Sequence, residues 1–289
     1  MLPVYDQCVT ETHSLYQGDN VEILTALPDR SIDFMVYSPP FSSLYTYSDS
    51  EHDMGNCRDD AEFFAHYRFV THELCRLLKP GRLLAVHCMN LPSTKQHQGV
   101  IGLRDFRGAL IRHHEADGMI YHSEVCIWKD PVVQMQRTKS IGLLYKQLRK
   151  DGTMSRQGLP DYLLVFRNPG TNPVPVTHTP DDLPLPVWQR YASPVWMDID
   201  ASRTLQKTSA REDKDERHIA PLQLDVIERA IHLWSNPSDI VLDPFMGIGS
   251  SGVVAQAMDR RFVGCELKAS YYAQAVANID HATRQTSLF

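Results

Sequence analysis

Apolar and polar positions alternate along the chain in runs of strand and helix length. Ile32-Asp33-Phe34-Met35-Val36-Tyr37 has the length and composition of a buried strand. Ser38-Pro39-Pro40-Phe41 must end it, because neither proline has an N–H to donate to a sheet ladder. Upstream, residues 1–13 are read as irregular, 14–17 as a short strand and 21–27 as a helix. Downstream, Phe63, Phe64, Tyr67, Val70, Leu74, Leu77 and Leu78 have helical spacing, closed by Lys79-Pro80-Gly81. Arg82 to Cys88 then reads as a core strand without chemistry of its own. The arrangement recurs as a helix near 103–116, with His113-His114 on a solvated face, and a strand near 119–128. Such alternation predicts parallel strands with helical crossovers. Asp161 to Phe166 reads as a further core strand, the partner in an antiparallel hairpin.

Two stretches carry chemistry. The Pro-Pro turn leaves the Ser38 hydroxyl, the Pro39 carbonyl and the Phe41 ring at the carboxyl end of a strand, where open α/β sheets place their ligands. Pro40 biases Pro39 away from the helical region, so the turn is stiff. Two fixed acceptors and an aromatic face suit a planar group bearing an NH2. The second stretch, residues 239–252, is an apolar strand, Asp243, the turn Pro244-Phe245-Met246-Gly247-Ile248-Gly249 and the small-residue start of a helix. Glycines at 247 and 249 permit tight turning and close approach to a ligand. The strand Arg261 to Glu266 follows and ends in a carboxylate, placed to accept both ribose hydroxyls of a nucleoside cofactor. An acidic strand end would repel a pyrophosphate, so the cofactor reads as cationic rather than as a dinucleotide.

These stretches resemble the DNA amino-methyltransferases that use S-adenosylmethionine and act on cytosine N4 or adenine N6. Ser-Pro-Pro-Phe is similar to their catalytic loop and Asp-Pro-Phe-Met-Gly-x-Gly to their cofactor loop. Their order, catalytic loop first, resembles the circularly permuted β group. The resemblance implies an α/β fold: a Rossmann-like, mostly parallel sheet with an antiparallel hairpin and an irregular target-recognition insertion. It assigns Ser38, Pro39, Pro40 and Phe41 to catalysis, and Asp19, Asp243, Phe245, Gly247, Gly249 and Glu266 to the cofactor. Asp19 also reads as the N-cap of the helix behind it, and the two roles can coexist. The segment His218-Ile219-Ala220-Pro221, which opens a helix through Ala230, resembles the family segment at the methionine end of the cofactor. After Glu266 and a helix over 268–279, the next strand would be the one before Gly18-Asp19, so both chain ends would build one sheet.

Composition limits where DNA can be met. With 29 Lys plus Arg against 35 Asp plus Glu, the net charge of -6 supplies no global basic field. Residues 129–167 are the exception, with eight basic and three acidic residues. Arg137, Lys139, Lys146, Arg149, Lys150 and Arg156 are accordingly the candidate contacts to double-stranded DNA. The plainer reading of such a run is a solvated face. Residues 42–58 read as a lid or a solvated loop, with Tyr45 and Tyr47 available for stacking. Residues 169–194, with seven prolines, read as an extended excursion without regular structure. The chain thus divides into a catalytic half (1–167, with its basic segment at 129–160), a target-recognition insertion or linker (168–217) and a cofactor half (218–289). Six cysteines lack metal spacing and read as reduced thiols, and no metal is expected. No leader or membrane-length run is evident, which implies a cytoplasmic, nucleoid-associated protein of a bacterial, phage or archaeal host.

The expected activity is site-specific methyl transfer to the amino group of a flipped base, within restriction-modification and with a cognate endonuclease as a further partner. In the family, Ser before Pro-Pro favours cytosine N4, and adenine N6 is the alternative. A methyltransferase for RNA or a protein amide, or a catalytically silent DNA-binding module, are the readings from other classes.

Overall fold

The computed structural model describes residues 4–42, 53–93, 95, 99–138, 140–205 and 221–286, side chains 137, 138, 285 and 286 excepted. Tyr45, Tyr47, Lys139 and His218-Ile219-Ala220 lie outside them. The strands are β1 (Asp6–Val9), β2 (His13–Gln17), β3 (Ile32–Tyr37), β4 (Leu78–Met89), β5 (Leu91–Ser93), β6 (Gly102–Arg104), β7 (Ile120–Ile127), β8 (Asp161–Arg167), β9 (Val195–Trp196), β10 (Ile240–Asp243) and β11 (Arg261–Glu266). Nine of them form one sheet in the order β1-β2-β11-β10-β3-β4-β8-β7-β9, and β5 pairs with β6. The run from β2 to β4 is parallel throughout, while β8 pairs antiparallel with both β4 and β7, the expected hairpin. Cys265 opposite Tyr16 and Glu266 opposite Gln17 join the last strand to the second. That pairing is what the permuted order required.

Period-two alternation assigns β3 to two cores. Met35 and Tyr37 pack with α1 (Asn20–Ala26), α2 (Asp60–Leu77) and α3 (Phe106–Ala116) on one face. Phe34 and Val36 pack with α7 (Leu224–Trp234), α8 (Ser250–Ala257) and α9 (Ala269–Thr286) on the other. All six β3 residues are buried, Asp33 included, and its carboxylate pairs with Lys79 at 2.6 Å and accepts the Ile240 N–H at 3.0 Å. A sheet covered on both faces needs such continuous apolar strands.

Four expectations are corrected. Residues 6–9 are not irregular but form β1, an antiparallel edge strand on β2. Leu185–Tyr191 inside the proline-rich excursion is a helix, α6, whose prolines at 184 and 186 sit at its entry, where a missing N–H costs nothing. β9 then adds to the sheet edge, with Trp196 buried and its indole N–H donating to Tyr191 O at 3.0 Å. Arg229 holds this excursion down through two bonds to Asp198, at 2.9 and 2.8 Å, and lies over the Tyr191 and Trp196 rings. His114 is fully buried rather than solvated, stacked 4.3 Å from Phe166, and burial pulls its imidazole down to about 4. The last correction concerns α7, which begins at Leu224 rather than near His218. Among the described residues no helix is long and apolar enough to cross a membrane.

Candidate active site

Because β2, β11, β10 and β3 run parallel, their carboxyl ends open on the same edge of the sheet. Each delivers one expected feature there: Gly18-Asp19, Glu266, Asp243 with its loop, and the Ser38 turn. One pocket is lined by Asp19, Ser38, Pro39, Pro40, Phe41, Asp243, Phe245, Gly247 and Glu266 together. The two motifs some 200 residues apart in sequence therefore face one cavity. Gly249 lies behind the lining, with φ +88° at the start of α8, where a Cβ would come within 3.2 Å of Ala275. Gly247, at φ +54°, has nothing within 4 Å of where a Cβ would stand, so its backbone is open.

The acidic wall is tightly organised. Asp243 is 4% exposed, accepting the Phe245 N–H at 2.9 Å and the Ser251 hydroxyl at 2.6 Å. Burial pushes its carboxyl up to about 7 despite those bonds. Glu266 accepts the Gly247 N–H at 3.0 Å on one oxygen and the Lys268 N–H at 2.8 Å on the other. Burial also raises this carboxyl to about 7. Each Glu266 oxygen keeps a second lone pair for a ligand. Asp19 caps α1, accepting the Val21 N–H at 2.8 Å, and also lines the pocket. Asn20 donates to Pro244 O at 3.1 Å and ties the α1 entry to the glycine loop.

On the opposite wall the Ser38 Oγ lies 3.1 Å from His87 Nδ1. Phe41 packs against His87 and Phe106, with ring centroids 6.1 and 6.2 Å away. The β4 strand is thus not pure core: His87 is the residue that sequence reasoning passed over. A lone histidine in an apolar run one strand from the Ser38 turn was the available signal. Pro221, Leu222, Met54 and Tyr271 are also among the lining residues.

The basic segment folds as α4 (Pro131–Thr138) and α5 (Tyr145–Lys150) between β7 and β8. Lys146, Arg149 and Lys150 are exposed, while Arg156 is half-buried and donates to Ser140 Oγ and Gln157 O. Lys129 is committed to Asp161. None of these residues lines the pocket, and the Arg137 side chain lies outside the description. Among the described residues two trios, Cys8 with His13 and Asp280, and His178 with Asp182 and His232, gather three ligand-type atoms within 4.8 Å of one another. Neither trio reaches the pocket.

Residues 32–277 match the N6 and N4 methyltransferase family model described as DNA methylase. The chain is 24% identical over 275 residues to the type II methyltransferase M.BglII of Bacillus subtilis, covering 90% of this chain and 66% of that relative's length. Among solved structures, TTHA0409 of Thermus thermophilus in complex with S-adenosyl-L-methionine superposes with a TM-score of 0.68 at 21% identity, over 94% of this chain and 96% of that one. The cytosine-N4-specific PvuII DNA methyltransferase gives 0.67 at 18% identity, over 98% and 95%. At such identities the structures speak for the fold, and the family match speaks for descent. This chain belongs to the DNA methylase family.

Proposed function

We propose that this protein transfers a methyl group from S-adenosylmethionine to the exocyclic amino group of a base flipped out of duplex DNA, cytosine N4 in preference to adenine N6. The observation that carries the reading is the single pocket shared by the Ser38 turn and the Asp243–Gly249 loop. The residues fit the cofactor: Glu266 has acceptor capacity for ribose hydroxyls, the open Gly247 backbone admits close approach, and two acidic side chains suit a cationic ligand. Asp19, Phe245 and Gly249 complete that cradle or brace it. When bound, S-adenosylmethionine supplies an electrophilic methyl on a sulfonium.

The amino nitrogen of a base is a poor nucleophile because its lone pair is delocalised into the ring. Ser38 Oγ and the Pro39 carbonyl would accept its two N–H bonds and draw it toward a tetrahedral arrangement. Pro40 stiffens that turn and Phe41 offers a face for stacking. Positioning and preorganised dipoles then supply the rate, and no covalent enzyme intermediate is required. Flipping costs a few kcal/mol. Lys146, Arg149 and Lys150 would contact phosphates, and residues 168–217 would choose the sequence. Serine at 38 supports cytosine, and adenine presents the same NH2 to the same acceptors. A restriction endonuclease of the same specificity, as the type II relative suggests, would be the partner.

Incubation with unmethylated DNA and S-adenosylmethionine, followed by digestion and mass spectrometry of the nucleosides, tests this. N4-methylcytosine is expected. N6-methyladenine would reverse the base assignment, and no methylated nucleoside would overturn the DNA reading.

A further inference from the structure

Ser38 is not the end of the polar chain at the pocket. On the far side of the His87 ring, Nε2 lies 3.1 Å from Asp161 Oδ2, within ion-pair distance but without the alignment of a hydrogen bond, and it has no other partner among the described residues. The other oxygen of Asp161 takes Lys129 Nζ. His87 is 7% and Asp161 2% exposed, so the middle of this line is withdrawn from water, while Ser38 and Lys129 at its ends are half-buried. The four residues come from the ends of adjacent strands: Ser38 follows β3, His87 lies in β4, Asp161 opens β8, and Lys129 follows β7.

The proton positions follow from the partners. Burial alone would push the Asp161 carboxyl up, but it lies below its ordinary value with the Lys129 ammonium on its other oxygen, so it is a carboxylate. A carboxylate only accepts, which places the imidazole proton on Nε2 and leaves Nδ1 a lone pair. That lone pair faces Ser38 Oγ, so the hydroxyl hydrogen points at His87 and the oxygen's lone pairs are free for the pocket. Without His87 the hydroxyl could rotate and offer its hydrogen where an acceptor is needed.

We infer that His87, oriented by Asp161 and Lys129, is the positioning residue that makes Ser38 an acceptor and then receives, through Ser38, the proton released in the reaction. This rests on the amino-methylation reading above. Once the amino nitrogen has gained its fourth bond it is cationic and carries a surplus proton. Ser38 Oγ takes that proton as the original Ser38 hydroxyl proton passes to His87 Nδ1. The nitrogen becomes neutral, Ser38 is restored, and His87 becomes an imidazolium beside Asp161. Two protons shift together, one positive charge passes in net from the nitrogen to His87, and the total charge is unchanged.

Imidazole ¹⁵N NMR of the free protein, with His87 assigned by its loss in His87→Asn, reads the arrangement without any reaction. A protonated Nε2 with a bare Nδ1 is expected, and the opposite tautomer would overturn the proposal. Single-turnover transfer to DNA gives the second reading. His87→Ala should slow transfer about 100-fold while its affinity for S-adenosylmethionine, which also reports folding, stays within about two-fold of wild type. The Ser38→Ala/His87→Ala double variant should be no slower than Ser38→Ala, since His87 acts through Ser38. His87→Asn, whose amide oxygen can accept the Ser38 hydrogen without taking up a proton, should recover part of the loss. Additive losses, or a His87→Ala rate near wild type, would remove His87 from the reaction. If the wild type transfers nothing to DNA, the methylation reading falls, and the tautomer still decides how Asp161 orients the His87 ring.

Discussion

The acidic wall of the pocket and the basic segment between β7 and β8 both carry the charges that sequence reasoning singled out, and they hold them in opposite ways. Asp243 is buried and Glu266 half-buried, and every carboxylate oxygen already has a backbone or hydroxyl donor. Lys146, Arg149 and Lys150 stand in solvent on a six-residue helix, beside Tyr145 and Leu148, which are 74% and 53% exposed. Enclosed charges with fixed partners can read the shape of one ligand. Exposed cations on flexible stems supply an attraction that any polyanion satisfies and that salt screens.

The contrast can be broken at its strongest point first. Glu266→Ala removes acceptors from a water-poor site, and hydrogen bonds to a charged group are worth about 1.5–3 kcal/mol each. Titration calorimetry should show S-adenosylmethionine affinity reduced about 100-fold, the fold being checked by circular dichroism. An affinity near wild type would take Glu266 out of the cofactor cradle. Neutralising Lys146, Arg149 and Lys150 together to Ala should weaken DNA binding about tenfold near physiological salt and lower the salt slope by about 2.7, at 0.9 per phosphate contact. Cofactor affinity should not change, and an unaltered slope would mean that the segment is only a solvated face.

A smaller effect sharpens the acidic side. With Glu266 and Asp243 both raised to about 7, the ligand-free pocket is partly protonated at neutral pH. A cationic ligand prefers the ionised forms, so its affinity should rise several-fold between pH 6 and pH 8 and then level off. The free protein responds in the opposite sense. A raised carboxyl binds more protons folded than unfolded, so its contribution to stability is full below about pH 4 and is lost as pH rises through about 7. Thermal melts with and without ligand would separate the two trends, and parallel trends would refute the assignment.

What could be read from the sequence was what the backbone dictates. Pro39-Pro40 ends a strand wherever it stands, and Gly247 and Gly249 occupy conformations that other residues avoid, so both loops were legible. The link from His87 to Asp161 was not, because the two meet only through the antiparallel register that sets Met89 opposite Asp161 and His87 opposite Leu163. No local pattern encodes that register. The α6 helix was hidden because prolines were counted rather than placed. Its hold on the body, through Trp196 and Arg229, is tertiary. His114 was recoverable: Phe106, Leu110 and His114 recur every four residues and share the buried face of α3.

The pairing of β11 with β2 also bears on how the chain is made. β2 and β3 are separated in the sheet by β10 and β11, which follow β3 by about 200 residues. At about 5–20 residues per second, roughly 10–40 s pass on the ribosome between them. Throughout that interval β2 and β3 present unfilled edges to the cell, because the strands that lie between them are made later. A nascent chain of this topology would therefore depend on holding chaperones until β10 and β11 emerge.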